Sequence, residues 1–452
     1  MRSPSALRIL AGSLAVAVLV AGLFIGAGLW RSGWTPFLPE VGAATVPAPP
    51  VDDSGASGVA QVVTDTACTG WLLDTGAGGG PAYVITAGRR TAARDQPGSA
   101  VLLDAPATAA VTFGAGSGPA PYTVRADRVL YATMNGTDLA VLALAETGDA
   151  LRERGIAGYR PTRPPADRRV VRMIGIPVQG LPASQVQTRS GRCVTGARAD
   201  LLESGRLVDG AFALDCPGVV GGTSGSPLLN RSGRVVGMVT TSTAGAAPGG
   251  ACFTGNPCEL TADGAAPVPD RSYAVPVSGL ADCFPGGRFA LAERCPLPRP
   301  GIVVRTGATV LGPGRNPVTV QVSAPAPTTV RTGVAPLTGP DACDRADYDA
   351  TVSIGPEPAP VTATLPAAEG HYLLCLDAGL QDQPAGRVAL ERDLTPPVRE
   401  PEIAVLAVAG GFRVRPLASP PELSSFLVKA ARRRAPTAPT RPDTDRSAAS
   451  RW

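Results

Sequence analysis

The chain has 452 residues, enough for about two or three domains and at least one sizeable core. Basic and acidic residues nearly balance at a formal charge of +4, which argues against nucleic-acid and polyanionic partners. A single histidine, His371, excludes mechanisms and metal sites built on two imidazoles, and no motif indicates a cofactor or a metal.

The N-terminus carries Arg2 and Arg8, then an uncharged apolar run from Ile9 to Trp30 closed by Arg31. That run is long enough to cross a hydrocarbon core of about 30 Å, and its flanking arginines place the N-terminal side in the cytoplasm. Residues 1–34 therefore read as a transmembrane signal anchor with the rest of the chain extracytoplasmic. The alternative is secretion after signal cleavage at small-residue sites near Ala27 or Ala44. Basic residues are almost all arginine, Lys429 being the one lysine, in a chain rich in Ala, Gly and Pro. This bias reads as a GC-rich, actinobacterial genome.

Export agrees with nine cysteines, which in an oxidising compartment form disulfides. Their spacing predicts neighbouring pairs, Cys193 with Cys216, Cys252 with Cys258, Cys283 with Cys295 and Cys343 with Cys375, and leaves Cys68 as a free thiol.

Residues 35–58 have the Pro, Ala, Val and Gly composition of a flexible linker. Over 59–300 short β-rich runs recur between glycine and proline turns, among them VAQVV, WLLD, AYVIT, LAVLAL and GRVVGMVTT. No amphipathic helix of any length interrupts them, which predicts an all-β barrel or sandwich. The texture changes at 301–392, where PVTVQVSA puts Val318, Val320 and Val322 on one face of a strand and Thr319, Gln321 and Ser323 on the other. A bridge from Cys343 to Cys375 in EGHYLLCL is expected to staple two strands of a sandwich. Residues 393–430 read as the opening of a second, partial sandwich, and 431–452 as a disordered tail.

The segment richest in chemistry is LDCPGVVGGTSGSPLLNRSGRVVGMVTT, Leu214 to Thr241. A glycine-rich turn presents the Ser224 hydroxyl to solvent, and the backbone N–H groups of Gly222 and Ser224 are expected to point into one cavity as an oxyanion hole.

Gly-Thr-Ser-Gly-Ser-Pro, Gly222 to Pro227, resembles the nucleophile motif of the trypsin-like (chymotrypsin-fold) serine peptidases. NGTDLAVLAL is similar to that family's segment around the triad aspartate, and CTGWLL and AYVITAG to the paired strands before its histidine. The resemblance covers 59–300 and implies a double β-barrel with Ser224 at the nucleophile position and Asp138 at the triad acid position. Where the family has Thr-Ala-Ala/Gly-His-Cys, this chain reads Thr86-Ala87-Gly88-Arg89-Arg90. Arg89 thus replaces the catalytic histidine, and Arg90 replaces the cysteine that would bridge to Cys68. A guanidinium accepts no proton, so it cannot activate a serine. The resemblance also brings Arg89 near Asp138, where a bidentate Arg–Asp pair is expected in place of His–Asp.

The acid that selects basic side chains in trypsin has no counterpart in PGVVGG, so specificity is unassigned. The disulfide-bearing module of 301–392 is similar in texture to the immunoglobulin-like repeats of exported bacterial proteins. These readings imply a non-catalytic, extracytoplasmic peptidase homologue whose cleft takes a peptide or protein ligand. The alternative is an active serine endopeptidase that uses an unrecognised base.

Overall fold

A computed structural model describes residues 54–91, 100–115, 120–164, 166–244, 252–312, 314–379 and 386–393, together with the backbone of two later strands. The expected anchor, most of the linker and the tail lie outside the described residues. Among those described, no helix is long and apolar enough to cross a membrane.

Alternating apolar residues and glycine turns fold the first part of the chain into six strands. They are β1 (Val59–Val63), β2 (Ala67–Leu72), β3 (Pro81–Thr86), β4 (Val101–Phe113), β5 (Tyr122–Thr133) and β6 (Leu139–Thr147). These close into an antiparallel barrel in the order β1-β2-β3-β6-β5-β4. Closure leaves the barrel no free edge along which to aggregate. A short helix, α1 (Gly148–Glu153), follows, capped by the Thr147 side chain accepting from the Ala150 N–H. The last residues expected in the linker already belong to this body. Ala56 is buried, and the Gly58 carbonyl accepts from the Leu72 N–H.

The second barrel comprises β7 (Val170–Gly175), β8 (Arg189–Glu203), β9 (Arg206–Asp215), β10 (Pro227–Leu229), β11 (Val235–Ser242), β12 (Cys258–Thr261), β13 (Gly264–Ala266) and β14 (Ser272–Pro276). Its sheet runs β13-β12-β8-β7-β10-β11-β14-β9, and pairing of β8 with β9 closes it. The core that joins the two barrels includes Trp71, Tyr83 and Ile85 from the first and Ile174, Met238 and Tyr273 from the second. The functional turns lie along this seam.

Residues after 300 form β15 (Val303–Arg305), β16 (Val310–Leu311), β17 (Val318–Ser323), β18 (Thr328–Pro336), β19 (Asp347–Ile354), β20 (Ala359–Ala363), β21 (Gly370–Asp377) and β22 (Gly386–Arg392). They make a three-stranded sheet, β15-β17-β20, and a five-stranded sheet, β16-β22-β21-β18-β19. Val318, Val320 and Val322 of one sheet share a core with Val330, Leu374, Leu376 and Leu390 of the other. The Cys343–Cys375 bridge differs from expectation in one respect. Cys343 sits in a short 3-10 turn, so the bond ties that turn to β21 rather than strand to strand. The other three bonds join Cys193 to Cys216, Cys252 to Cys258 and Cys283 to Cys295.

A further unit, taken by itself, contains the antiparallel hairpin β23 (Glu402–Val408) and β24 (Gly411–Ala418).

Candidate active site

The turn Gly222–Pro227 connects β9 to β10 and is fixed by backbone bonds to both barrels. The Thr69 N–H donates to the Ser224 carbonyl at 3.0 Å, and the Gly225 N–H to the Val239 carbonyl at 2.8 Å. Two glycines make this approach feasible. Gly222 has φ +103°, where a Cβ would meet the Val178 nitrogen at 2.6 Å, and at Gly225, with φ +92°, a Cβ would stand 1.9 Å from the Thr69 carbonyl oxygen. The turn leaves Ser224 half-buried, while Thr223 and Ser226 on either side of it are fully buried. Among the described residues, the N–H groups of Gly222 and Ser224 donate to no protein acceptor. The hydroxyl of Ser224 donates to the Thr240 carbonyl at 3.1 Å and faces Nη2 of Arg90 at 3.5 Å.

Asp138 follows the turn between β5 and β6 and is wholly buried. Arg89 lies in a 3-10 turn directly after β3 and is only 4% exposed. The pairing of β3 with β6 sets Thr86 opposite Ala140 and so brings the two side chains together. The Arg89 backbone N–H donates to Asp138 Oδ1 at 2.8 Å, and Nε to Oδ2 at 2.6 Å.

The bidentate partner of Arg89, however, is not Asp138. Nη1 and Nη2 form a fork to Glu203 Oε1 and Oε2 at 2.6 and 2.7 Å, and Nη2 also reaches Thr240 Oγ1 at 3.0 Å. The Thr240 hydroxyl in turn donates to Asp138 Oδ2 at 2.5 Å. Burial alone would lower the basicity of the Arg89 guanidinium. Attraction to Asp138 and Glu203, with their hydrogen bonds, outweighs that and raises it, so Arg89 is a fixed cation.

Sequence reasoning misses Glu203. It ends β8 at the corner of a two-residue hairpin in which Ser204 and Gly205 both have positive φ, 53° and 74°. Glu-Ser-Gly-Arg in that context reads as an exposed turn, yet Glu203 is wholly buried. Besides Arg89 it accepts from Thr241 Oγ1 at 3.0 Å and from the Gly255 N–H at 2.7 Å, the latter inside the loop closed by Cys252–Cys258. The one available signal is the apolar flank on both sides, since Leu201 and Leu202 before the turn and Leu207 and Val208 after it are buried.

Cys68 on β2 is a buried free thiol. It donates to the Val62 carbonyl at 3.5 Å and touches Thr86 Oγ1 at 3.4 Å. Burial pushes its pKa up from 9.0 to about 11. His371 forms no hydrogen bond or ion pair with Ser224, Asp138 or Arg89. Its Nε2 lies 3.8 Å from Cys252 Sγ and 3.8 Å from Glu391 Oε2.

Two closed antiparallel barrels with the glycine-serine turn Gly222–Pro227 on their seam define a double β-barrel fold. Residues 68–238 match the family model described as a trypsin-like peptidase domain, and this part of the chain is similar to that family. Among solved structures, the chain is similar to the MamO protease domain from Magnetospirillum magneticum, at 16% identity over 50% of this chain and 95% of that one, with a TM-score of 0.33. It is also similar to the scabies mite inactivated protease paralogue S-D1, at 13% identity over 51% and 91% with a TM-score of 0.35. For neuropsin, a serine protease of mouse brain, the figures are 11%, 51%, 93% and 0.31. No curated protein matches the chain.

Proposed function

We propose that the double-barrel domain is a non-catalytic peptidase homologue that binds a peptide or protein segment in the cleft over Ser224 without cleaving it. The observation that carries this reading is the hydrogen bonding of Ser224. Its hydroxyl proton goes to a backbone carbonyl, that of Thr240, and its other neighbour is the guanidinium of Arg90. Neither group takes a proton at neutral pH, and a serine hydroxyl is a weak nucleophile without an adjacent base. Loss of the histidine from a serine-peptidase triad lowers turnover by roughly 10⁶, with about 10³ to 10⁴ over water left to binding and the oxyanion hole.

Asp138 keeps the triad-acid position but orients Arg89 instead of an imidazole. Gly222 and Ser224 keep the donors of an oxyanion hole. The cleft therefore retains what holds a peptide carbonyl and lacks what attacks it. Export to an oxidising compartment is supported by the four disulfides. We place the domain outside the cytoplasmic membrane, anchored through Ile9 to Trp30.

The test is hydrolysis of casein and of a fluorogenic peptide pool by the purified protein beside its Ser224→Ala variant. Equal, background-level rates are expected. Turnover that disappears on Ser224→Ala would establish an active endopeptidase with another base.

A further inference from the structure

A peptide-binding cleft still leaves open which part of a polypeptide it takes, and the surroundings of Arg90 bear on that. Arg90 has no carboxylate within ion-pair distance among the described residues. Among the described residues its side-chain contacts are long ones, 3.4 Å from Nη1 to Thr66 Oγ1 and 3.5 Å from Nη2 to Ser224 Oγ. Its Nε is buried with no acceptor at all. A guanidinium has five donors, and donor–acceptor distances of about 2.9 Å are the norm, so this one is strongly under-satisfied. The neighbouring Arg89 is the reverse, with every one of its nitrogens engaged by Asp138, Glu203 or Thr240.

In the turn that carries Ser224, the N–H groups of Gly222 and Ser224 are also without protein acceptors among the described residues. Unpaired buried donors are costly, and here the buried Arg90 Nε belongs to a cation that faces Ser224 Oγ, in a turn with two further unpaired N–H groups. The missing partner is an anion with two oxygens. A planar carboxylate fits a guanidinium edge, with strong charge-assisted bonds. In a peptidase cleft the group that meets these N–H donors is a main-chain carbonyl. The main-chain carbonyl that is also a carboxylate is the last one of a chain.

The geometry points to a cleft that receives the free C-terminus of a polypeptide, its terminal carboxylate lying over Ser224 between the Gly222 and Ser224 N–H groups and the Arg90 guanidinium. This rests on the reading of the domain as a peptide-binding, non-cleaving homologue and assigns its ligand class. The terminal carboxylate has no leaving group to lose, so binding involves no covalent step.

The experiment uses the purified whole chain and one pool of N-acetylated hexapeptides prepared twice, as free acids and as C-terminal amides. Peptides retained by the immobilised protein are quantified by mass spectrometry. Free acids are expected to be retained about tenfold or more over amides, in line with the strength of hydrogen bonds to charged groups. Arg90→Gln, checked for an unchanged unfolding midpoint, is expected to reduce the acids to the level of the amides. Equal retention of acids and amides by the native protein would overturn the C-terminus assignment and leave peptide binding standing. An acid preference that survives Arg90→Gln would overturn the role of Arg90. Retention of neither pool would overturn the assignment and the peptide-binding reading together.

Discussion

Arg89 is a buried cation held between two buried carboxylates, and removing any one of the three strands the others. A buried ion pair contributes little net stability, because the cost of desolvation offsets the attraction, but breaking one by removing a single partner costs about 3–5 kcal/mol. Arg89→Met leaves Asp138 and Glu203 as two like charges in a dry seam. Glu203→Gln leaves Arg89 with Asp138 and Thr240 alone. Each single change is expected to lower the urea midpoint markedly, and the double change to cost less than the sum of the two, because it removes both members of the pair. Additive losses in urea unfolding would show that the two residues do not act as a unit. The same logic explains why restoring the family's residue at this position is not simple. Arg89→His would supply an imidazole but take the bidentate partner away from Glu203.

Between β2 and the turn after β3, two elements lie side by side without a covalent link. The turn is held instead by backbone and hydroxyl bonds. The Thr91 N–H donates to the Gly88 carbonyl at 3.0 Å, and Thr64 Oγ1 to the Arg90 carbonyl at 2.9 Å. Cys68 is left behind these strands as a neutral thiol. Because its pKa is raised in the folded state, from 9.0 to about 11, its contribution to stability is intact below about pH 9 and is lost as the pH rises towards 11. Iodoacetamide at pH 8 is expected to leave Cys68 of the native protein unmodified and to alkylate it fully in urea, as read by intact mass. Fast native alkylation would mean that β2 and β3 part readily.

Element scale is also where the sequence is most legible. NGTDLAVLAL and GGTSGSPLL are short, local patterns whose glycines and continuous apolar runs specify a turn and the strand it feeds, so Asp138 and Ser224 stand out from their own neighbourhoods. Glu203 does not. Its meaning comes from Arg89 at a sequence separation of 114, and its own neighbourhood is that of a surface hairpin. The bidentate fork therefore went to a residue that no local pattern marks. The strand-to-strand staple at Cys343 failed for a similar reason, since spacing pairs cysteines but does not say which element each one occupies.

Across the whole molecule, the sheets after residue 300 buttress the hairpin that carries Glu203. Leu202 and Leu207, on either side of that hairpin, share a core with Leu337, Leu373 and Ala389. The Ala389 N–H donates to the Gly205 carbonyl at 3.3 Å. Arg387 pairs with the half-buried Asp209, and it offsets part of the desolvation that raises the pKa of that carboxylate. The C-terminal module, the Cys252–Cys258 loop and the second barrel thus converge on the residue that grips Arg89.

That account is tested most directly at the Ser224 hydroxyl. The purified chain is incubated with a fluorophosphonate, which phosphonylates a serine only when a base activates it, and the product is read by intact mass and peptide mapping. The account predicts no adduct at Ser224, equal to the result for Ser224→Ala. Rapid, stoichiometric labelling that Ser224→Ala abolishes would contradict it.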